Sequence, residues 1–324
     1  MIALPLPIVG APLGGGPSTP ALAAAVCEAG GLGFLAAGYK TPDAVAADIA
    51  ALRRLTAKPF GVNLFAPPGP PADPAVVERY AATLGPGTGT PRHDDDHWAA
   101  KLELVAAERG PVVSVTFGAP ASAEAEALHA AGAELWVTVT TPAEAVAARD
   151  AGADALVVQG AEAGGHRGSF DDARPGTIGL LALLQLVRAE VGLPLVATGG
   201  LMTADAVSAV LAAGATAAQL GTALMLTPEA GTSPAHREAL RGDAPTALTR
   251  AFTGRTARGI VNRFMAEHGA DAPSAYPDVH HVTAPLRAAA REHGDADGFH
   301  LWAGEGYALA VAQPAGDVVR RLSP

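Results

Sequence analysis

The residues best suited to chemistry stand in a glycine-rich segment that follows a short apolar run. Ala155–Val158 leads into Gln159 and then into the loop Gly160–Gly168, which contains His166. The four glycines of this loop let the backbone pass close to a ligand and present free amide groups. Gln159 can donate hydrogen bonds to a planar heterocycle and accept them from it. Imidazole titrates where a proton-abstracting base is useful, so His166 is the candidate catalytic base; a solvated loop histidine is the alternative.

Further glycines follow two later apolar runs, which end in Thr198-Gly199-Gly200 and in Gln219-Leu220-Gly221-Thr222. Glycine amides and helix N-termini often bind phosphate at the corresponding strand ends of α/β barrels, so these segments predict a phosphate site. Two earlier runs end in Gly10-Ala11-Pro12-Leu13 and Val62-Asn63-Leu64. Asn63 is either a strand-end residue whose hydrogen bonds are satisfied or a second ligand to the same heterocycle.

Three polar clusters are weaker candidates. The segment His93–His97 could suggest a metal site, but its proline- and glycine-rich surroundings favour a solvated loop, and no metal site is predicted. The pair His280-His281 is expected on the surface. Four arginines are expected to form a solvated face or an oligomer contact, or to supply local positive charge: Arg250, Arg255, Arg258 and Arg263.

The elements that must position these residues alternate between helices and strands. Thr-Pro pairs at positions 19, 41, 141 and 227 predict helix starts, because Thr caps exposed amides and Pro at the first helical position loses an N–H that has no partner. Ala-Gly steps at 29, 131, 151 and 213 predict helix ends. Eight apolar strands are predicted: Ile8–Ala11, Gly33–Ala36, Phe60–Leu64, Val112–Phe117, Leu135–Thr138, Ala155–Gln159, Leu195–Thr198 and Ala217–Gly221.

This alternation predicts a (β/α)8 TIM barrel, in which the active site lies at the C-terminal ends of the strands; a doubly wound open sheet is the competing fold. The barrel is expected over residues 1–226, with an insertion at about 66–97 that contains a helix near Pro74–Leu84. Residues 227–324 are expected to be a mostly helical extension that covers the barrel mouth.

Composition narrows the class of protein. The chain has 324 residues, of which 49% are hydrophobic, which excludes general disorder. Its net charge of −10 argues against a nucleic-acid partner. A single cysteine, Cys27, is expected in the core and fits a reducing cytoplasm. The N-terminus lacks the pattern of a signal peptide, and no apolar run reaches the roughly 18 residues of a membrane span. A cytoplasmic protein is therefore expected.

The loop Gln159–Gly168 resembles the signature loop of the nitronate monooxygenases, formerly called 2-nitropropane dioxygenases. Five further segments match this family in order: Gly10–Leu13, Ala29–Phe34, Gly61–Leu64, Ala197–Gly200 and Gln219–Thr222. Gly254–Phe264 and Trp302–Gly306 are similar to its C-terminal region, so that the resemblance spans roughly residues 5–265 and part of the tail. Two residues depart from the family pattern: Leu13 replaces a frequent Met, and Thr116 stands where His is often found, which bears on substrate preference.

The resemblance implies a non-covalently bound FMN and assigns its contacts. Ala11, Pro12 and Leu13 would touch the flavin, and Asn63, Gln159 and Gly164 would hold its ring or ribityl chain. The phosphate would be bound by Gly200 and by Gln219, Leu220, Gly221 and Thr222, with Gly165 and Gly199 in the same glycine segments.

The resemblance also implies the reaction. His166 would take the α-proton of a neutral nitroalkane, the nitronate would pass an electron to FMN, and O2 would complete an oxidative denitrification without NADH. The partners would be small molecules, with a homodimer as the compatible assembly. Two alternatives are an FMN-dependent, NADH-consuming enoyl-acyl-carrier-protein reductase, which shares a similar glycine and histidine loop, and a barrel that binds FMN or a phosphorylated ligand without catalysis.

Overall fold

Eight short strands whose side chains are almost all buried form the centre of this computed structural model, which describes residues 1–110 and 112–324. The barrel strands are β1 (Ile8–Gly10), β2 (Phe34–Ala36), β3 (Gly61–Phe65), β4 (Val112–Thr116), β5 (Glu134–Val139), β6 (Ala155–Gln159), β8 (Leu195–Thr198) and β9 (Ala217–Leu220). Burial on both faces is typical of parallel strands covered by helices. All eight predicted strands are confirmed.

The sheet is parallel throughout, in the order β1-β9-β8-β6-β5-β4-β3-β2. Its two outer strands meet where Leu32, just before β2, pairs with Val9 of β1. Gly10 N donates to Leu32 O at 2.9 Å, and Leu32 N donates to Ile8 O at 3.0 Å. These bonds join the ends of the sheet into a (β/α)8 TIM barrel, and the open-sheet alternative is wrong.

Twelve helices lie among the described residues. They are α1 (Pro20–Glu28), α2 (Pro42–Leu55), α3 (Pro74–Thr83), α4 (Trp98–Ala107), α5 (Ser122–Ala130), α6 (Pro142–Asp150), α7 (Leu180–Glu190), α8 (Ala204–Ala212), α9 (Pro234–Ala239), α10 (Arg263–His268), α11 (Asp278–Glu292) and α12 (Ala315–Leu322). No helix in this part of the chain is both long and apolar enough to cross a membrane.

Local sequence signals set most helix ends. The hydroxyls of Thr19, Thr41 and Thr141 each accept a backbone N–H in the first turn of α1, α2 and α6, as predicted. The glycines after the four Ala-Gly helix ends all have positive φ, between 86° and 104°. The predicted start at Thr227 is wrong. Its hydroxyl donates backward to Leu224 O at 2.9 Å and closes a turn, so it is not available as a cap.

The core surrounds the strands on both sides. Inside the barrel, Trp136 is fully buried and its ring centroid lies 5.7 Å from that of Phe34. Met1, Ile2 and Leu4 pack against this interior cluster and close the bottom of the barrel. Between strands and helices, Cys27 is buried as expected, and burial raises the pKa of its thiol to about 11.

A second, small sheet joins the C-terminal extension to the barrel. Strand β11 (Ala257–Ile260) pairs antiparallel with β10 (Thr246–Thr249) on one side. On its other side it pairs with β7 (Gly165–His166), a two-residue strand within the loop that follows β6. The insertion joins the same cover, because Tyr80 of α3 donates its hydroxyl to Ala251 O at 2.7 Å.

The last helix returns to the barrel wall. Helix α12 packs against α1 and α8, and so takes the place of the eighth barrel helix. Its residues Val318, Val319 and Leu322 are fully buried. The division of the chain at residue 226 stays a prediction, and this packing leads us to propose residues 227–314 as the cover.

Because α12 closes the gap between the first and the last barrel helices, trimming its core side chain should destabilise the whole barrel. We expect Leu322→Ala to lower the free energy of unfolding by about 2–5 kcal/mol. Denaturant unfolding followed by circular dichroism measures it. Leu309→Ala is the control, since Leu309 is 55% exposed and should change stability by no more than about 0.5 kcal/mol. Equal effects of the two substitutions would contradict the assigned position of α12.

Candidate active site

A cavity of about 540 Å³ opens at the C-terminal ends of the barrel strands. Thirteen of the fourteen predicted site residues line it: Ala11, Pro12, Leu13, Asn63, Gln159, Gly164, Gly165, His166, Gly199, Gly200, Gln219, Gly221 and Thr222. Leu220 does not line it, because its side chain is 1% exposed within the core. Successive residues of a strand point to opposite sides, so Gln219 reaches the cavity and Leu220 turns away.

Arg167 fixes the loop that carries His166. Its guanidinium is fully buried and donates to three backbone carbonyls: Nε to Gly176 O at 3.1 Å, Nη2 to Gln159 O at 3.1 Å, and Nη1 to Gly160 O. Its backbone N donates to Thr256 O at 2.8 Å. Sequence reasoning passed over this residue, because nothing in a single loop shows that a charged side chain folds back onto its own backbone.

Gln159 serves the same loop. Its Nε2 donates to His166 O at 3.0 Å, and its Oε1 accepts from Gly168 N at 2.8 Å. The predicted contact of Gln159 with a heterocycle therefore has one amide proton and one lone pair of Oε1 left to use, because the other proton and lone pair already bind the loop. Its main structural effect is to hold the backbone on either side of the histidine.

Asn63 and Gln219 keep free acceptor or donor atoms at the cavity. Asn63 Nδ2 donates to Ser114 Oγ at 2.9 Å and to Thr116 Oγ1 at 3.0 Å, whereas Oδ1 accepts no hydrogen bond from the described residues. Thr116, which departs from the family pattern, also lines the cavity. The side-chain amide of Gln219 has no hydrogen-bond partner in residues 1–110 and 112–324, although Gln219 is only 8% exposed.

The glycine segments form a cradle of amide donors. The N–H groups of Gly199, Gly200, Gly221 and Thr222 donate to no acceptor within the described chain. Gly199 has a φ of +126°, a backbone conformation that residues other than glycine rarely adopt. A Cβ on Gly164 would lie 2.4 Å from the backbone of Gly304, so only glycine lets these two segments approach. Unpaired amides at adjoining strand ends are the donors that a phosphate group needs, and they fit a phosphorylated ligand.

His166 is one of the titratable groups that line the cavity. Its Nε2 lies 2.9 Å from Thr253 Oγ1, and its ring stands between Phe117 and Trp302, whose centroids are 5.8 and 5.5 Å away. Burial, together with the nearby cations Arg255 and Arg287, lowers the pKa of His166 to about 3. The imidazole is therefore neutral and able to accept a proton.

The cavity is electropositive although the whole chain is acidic. Arg287 and Arg291 line it, and none of its described lining residues is Asp, Glu or Lys. Arg287 is 4% exposed and contacts only neutral partners: its Nε donates to Thr283 Oγ1 at 2.9 Å, and its Nη atoms lie 3.2 and 3.3 Å from Nδ1 of His280 and His300. Such a cation is available to an anionic ligand.

Two expectations for the polar clusters are wrong. Arg255 and Arg258 are 6% and 8% exposed and are not part of a solvated face; the guanidinium of Arg255 lies 3.9 Å from the centre of the Phe117 ring. His280 is not a surface residue, because it lines the cavity with its ring stacked on Tyr39 at 4.2 Å. Both errors have one cause: partners distant in the chain bury these side chains, as Phe117 does for Arg255 and Tyr39 for His280.

The segment His93–His97 is also more structured than a solvated loop. The Asp96 carboxylate binds Lys101 Nζ at 2.7 Å and accepts from Tyr39 N at 3.0 Å, while His93 pairs with Asp278 at 2.9 Å. Within residues 1–110 and 112–324, no group of three or more His, Cys, Asp or Glu side chains could hold a metal ion. These contacts anchor the insertion to the cover.

Comparison with known proteins assigns the family. The family profile described as nitronate monooxygenase matches residues 1–324. The chain belongs to the nitronate monooxygenase family. It is 42% identical to a nitronate monooxygenase of Pseudomonas aeruginosa, over 99% of this chain and 96% of that protein. It is 33% identical to a probable nitronate monooxygenase of Staphylococcus aureus, over 99% of this chain and 94% of the relative.

Solved structures agree with this family. A nitroalkane oxidase from Streptomyces ansochromogenes superposes with a TM-score of 0.95 at 52% identity, covering 98% of this chain and 95% of that one. FabK from Thermotoga maritima is more distant, with a TM-score of 0.78 at 25% identity over 98% and 92% of the two chains. The nitronate monooxygenases are flavin-dependent enzymes, so this chain is an oxidoreductase of that kind.

The charge state of His166 can be tested directly. We expect its imidazole to stay neutral between about pH 8 and pH 5, the range in which a free imidazole takes up a proton, because its pKa is lowered to about 3. Titration of the histidine ring resonances by NMR measures it, with His166→Ala identifying the signal. Arg287→Met should raise the pKa by removing a cation. A wild-type His166 that titrates near 6.5 would contradict the assigned environment.

Proposed function

We propose that this protein is an FMN-dependent monooxygenase that oxidises alkyl nitronates, and more slowly nitroalkanes, with O2. The observation that carries the proposal is a neutral histidine at the mouth of a barrel whose cavity holds arginines and, among its described lining residues, no carboxylate. A base next to fixed positive charge suits a reaction in which a neutral carbon acid becomes an anion.

The cofactor assignment rests on the donors at the strand ends. Amides of Gly199, Gly200, Gly221 and Thr222 would hold the phosphate, since they are otherwise unpaired. Asn63 Oδ1 and the amides of Gln159 and Gln219 would meet the flavin ring or ribityl chain, and the backbone of Ala11, Pro12 and Leu13 would contact its face. Gly164 and Gly165 would give the ring room. FMN, when bound there, would accept electrons from the nitronate and return them to O2.

The residues of the chain supply the proton chemistry. His166 would take the α-proton from a neutral nitroalkane, which turns the substrate into a nitronate anion. Arg255 and Arg287 would stabilise that anion, because both cations lie close enough to His166 to lower its pKa. The aromatic rings of Phe117 and Trp302 around the histidine exclude water and strengthen the attraction.

The same charges predict which substrate form is preferred. A histidine with a pKa of about 3 is a weak base, so proton removal from a neutral nitroalkane is driven less strongly than it would be by a free imidazole. A nitronate needs no such step and brings a negative charge into an electropositive cavity. We therefore propose nitronates as the better substrates.

Anaerobic stopped-flow mixing tests the function. The purified holoenzyme is mixed with propionate 3-nitronate, and separately with NADH, while the flavin absorbance is followed. We expect the nitronate to reduce the flavin and NADH to leave it oxidised. Fast reduction by NADH alone would contradict the proposal and favour an enoyl reductase, and a protein that takes up no FMN would contradict both.

Removal of the base should separate the two substrate forms. We expect His166→Ala to lower kcat/KM for nitroethane by about 10²–10⁴-fold, the usual contribution of a positioned general base. Turnover of ethylnitronate should fall far less, because that substrate is already deprotonated. Steady-state oxygen consumption measures both. His293→Ala, at an exposed histidine, is the matched control. Equal losses on the two substrates would show that His166 is not the base.

A further inference from the structure

Thr253 makes the one side-chain hydrogen bond that His166 forms with the described residues. It lies in the turn between β10 and β11 and is 2% exposed. Its Oγ1 is 2.9 Å from His166 Nε2, 3.2 Å from the carbonyl oxygen of Arg255 and 3.3 Å from the amide nitrogen of Arg255. A hydroxyl has one proton and two lone pairs, so these three partners use its full capacity.

The backbone holds this hydroxyl in place. Gly254 N and Thr253 N both donate to Arg250 O, at 2.8 and 3.2 Å. The left-handed Gly254 approaches Ala275 so closely that a Cβ would lie 2.6 Å from Ala275 O, and Ala275 N donates to Gly254 O at 2.9 Å. The turn is thus fixed by three hydrogen bonds and one close approach, and these hold the backbone that carries the Thr253 side chain.

The three partners decide where the protons lie. The carbonyl of Arg255 can only accept and accepts from no other described group, so we assign the proton of the Thr253 hydroxyl to this bond. The amide of Arg255 can only donate, so it occupies one lone pair. The remaining lone pair faces His166 Nε2, which must then carry a proton.

We infer that Thr253 is a positioning residue that holds His166 in its Nε2–H tautomer and leaves Nδ1 to take the substrate's proton. Nδ1 makes no hydrogen bond with the described residues, and its ring lines the cavity. The inference rests on the proposed function, in which His166 is the base. In that step the α C–H bond breaks, its electron pair stays on the nitronate and the proton moves to Nδ1.

The assignment has a mechanical consequence. The bond from Nε2–H to Thr253 is present before the proton transfer and persists after it, so the ring needs no rotation between its neutral and protonated states. Without the hydroxyl, both tautomers become available, and only one of them has a free Nδ1. Loss of the hydroxyl should therefore reduce proton removal and leave the later steps alone.

Two variants of Thr253 distinguish a positioning role of its hydroxyl from a role in packing alone. Thr253→Val keeps the shape and removes the hydroxyl, whereas Thr253→Ser keeps the hydroxyl. We expect Val to lower kcat/KM for nitroethane by about tenfold, the usual contribution of one hydrogen bond, with ethylnitronate turnover unchanged. Ser should restore the nitroethane rate. Equal losses on both substrates, or no loss with Val, would overturn the inference.

The tautomer itself can be observed without turnover. In protein labelled with ¹⁵N-histidine, the His166 signal, identified by comparison with His166→Ala, should show a protonated Nε2 and an unprotonated Nδ1. A protonated Nδ1 in the wild type would overturn the inference. This measurement also separates the two proposals. Failure of the proposed function appears as missing nitronate turnover in the wild type, whereas failure of the Thr253 assignment appears in the ¹⁵N spectrum of the same protein.

Discussion

The buried guanidinium of Arg167 sets the position of the active-site loop. It forms no ion pair with the described residues but donates to the carbonyls of Gln159, Gly160 and Gly176, and the carboxylates of Glu144 and Glu162 also stabilise its charge. Burial lowers its pKa to about 10, but the group stays protonated at neutral pH. A buried charge that loses its partners costs several kcal/mol, so these three hydrogen bonds oppose opening of the loop. They hold the backbone next to His166, the preceding residue.

The same kind of charge compensation shapes the mouth of the barrel. Arg287 is hydrogen-bonded to hydroxyl, imidazole and carbonyl partners, and Arg255 to carbonyls while it lies over the face of Phe117, so both keep their positive charge. The negative charges that give the chain its net −10 lie outside the cavity lining. One arrangement therefore has two effects: it attracts an anionic phosphate or nitronate, and it keeps His166 neutral. A protein with carboxylates beside these arginines would lose both.

The sequence predicted the parts that local rules control. Alternating apolar strands, Thr-Pro caps and Ala-Gly ends depend on neighbours within a turn or two, and they located all eight strands and the cavity-lining glycines. The features that the sequence did not predict depend on contacts between segments that are far apart in the chain. Local sequence does not show that Arg255 and His280 are buried, because the rings against which they pack, Phe117 and Tyr39, lie far away in the chain. Likewise, the sequence of α12 alone does not show that this short helix packs against α1 and α8.

The barrel alone does not determine the chemistry, because one fold can carry unrelated activities. The chemistry depends on the side chains around His166, and most of these come from the extension. Pairing of β11 with β7 places Thr253 next to His166, while α11 brings Arg287 and His280 to the same cavity. The barrel strand ends thus supply the unpaired amides of the cavity, and the extension supplies the hydroxyl that His166 contacts and the arginines near it.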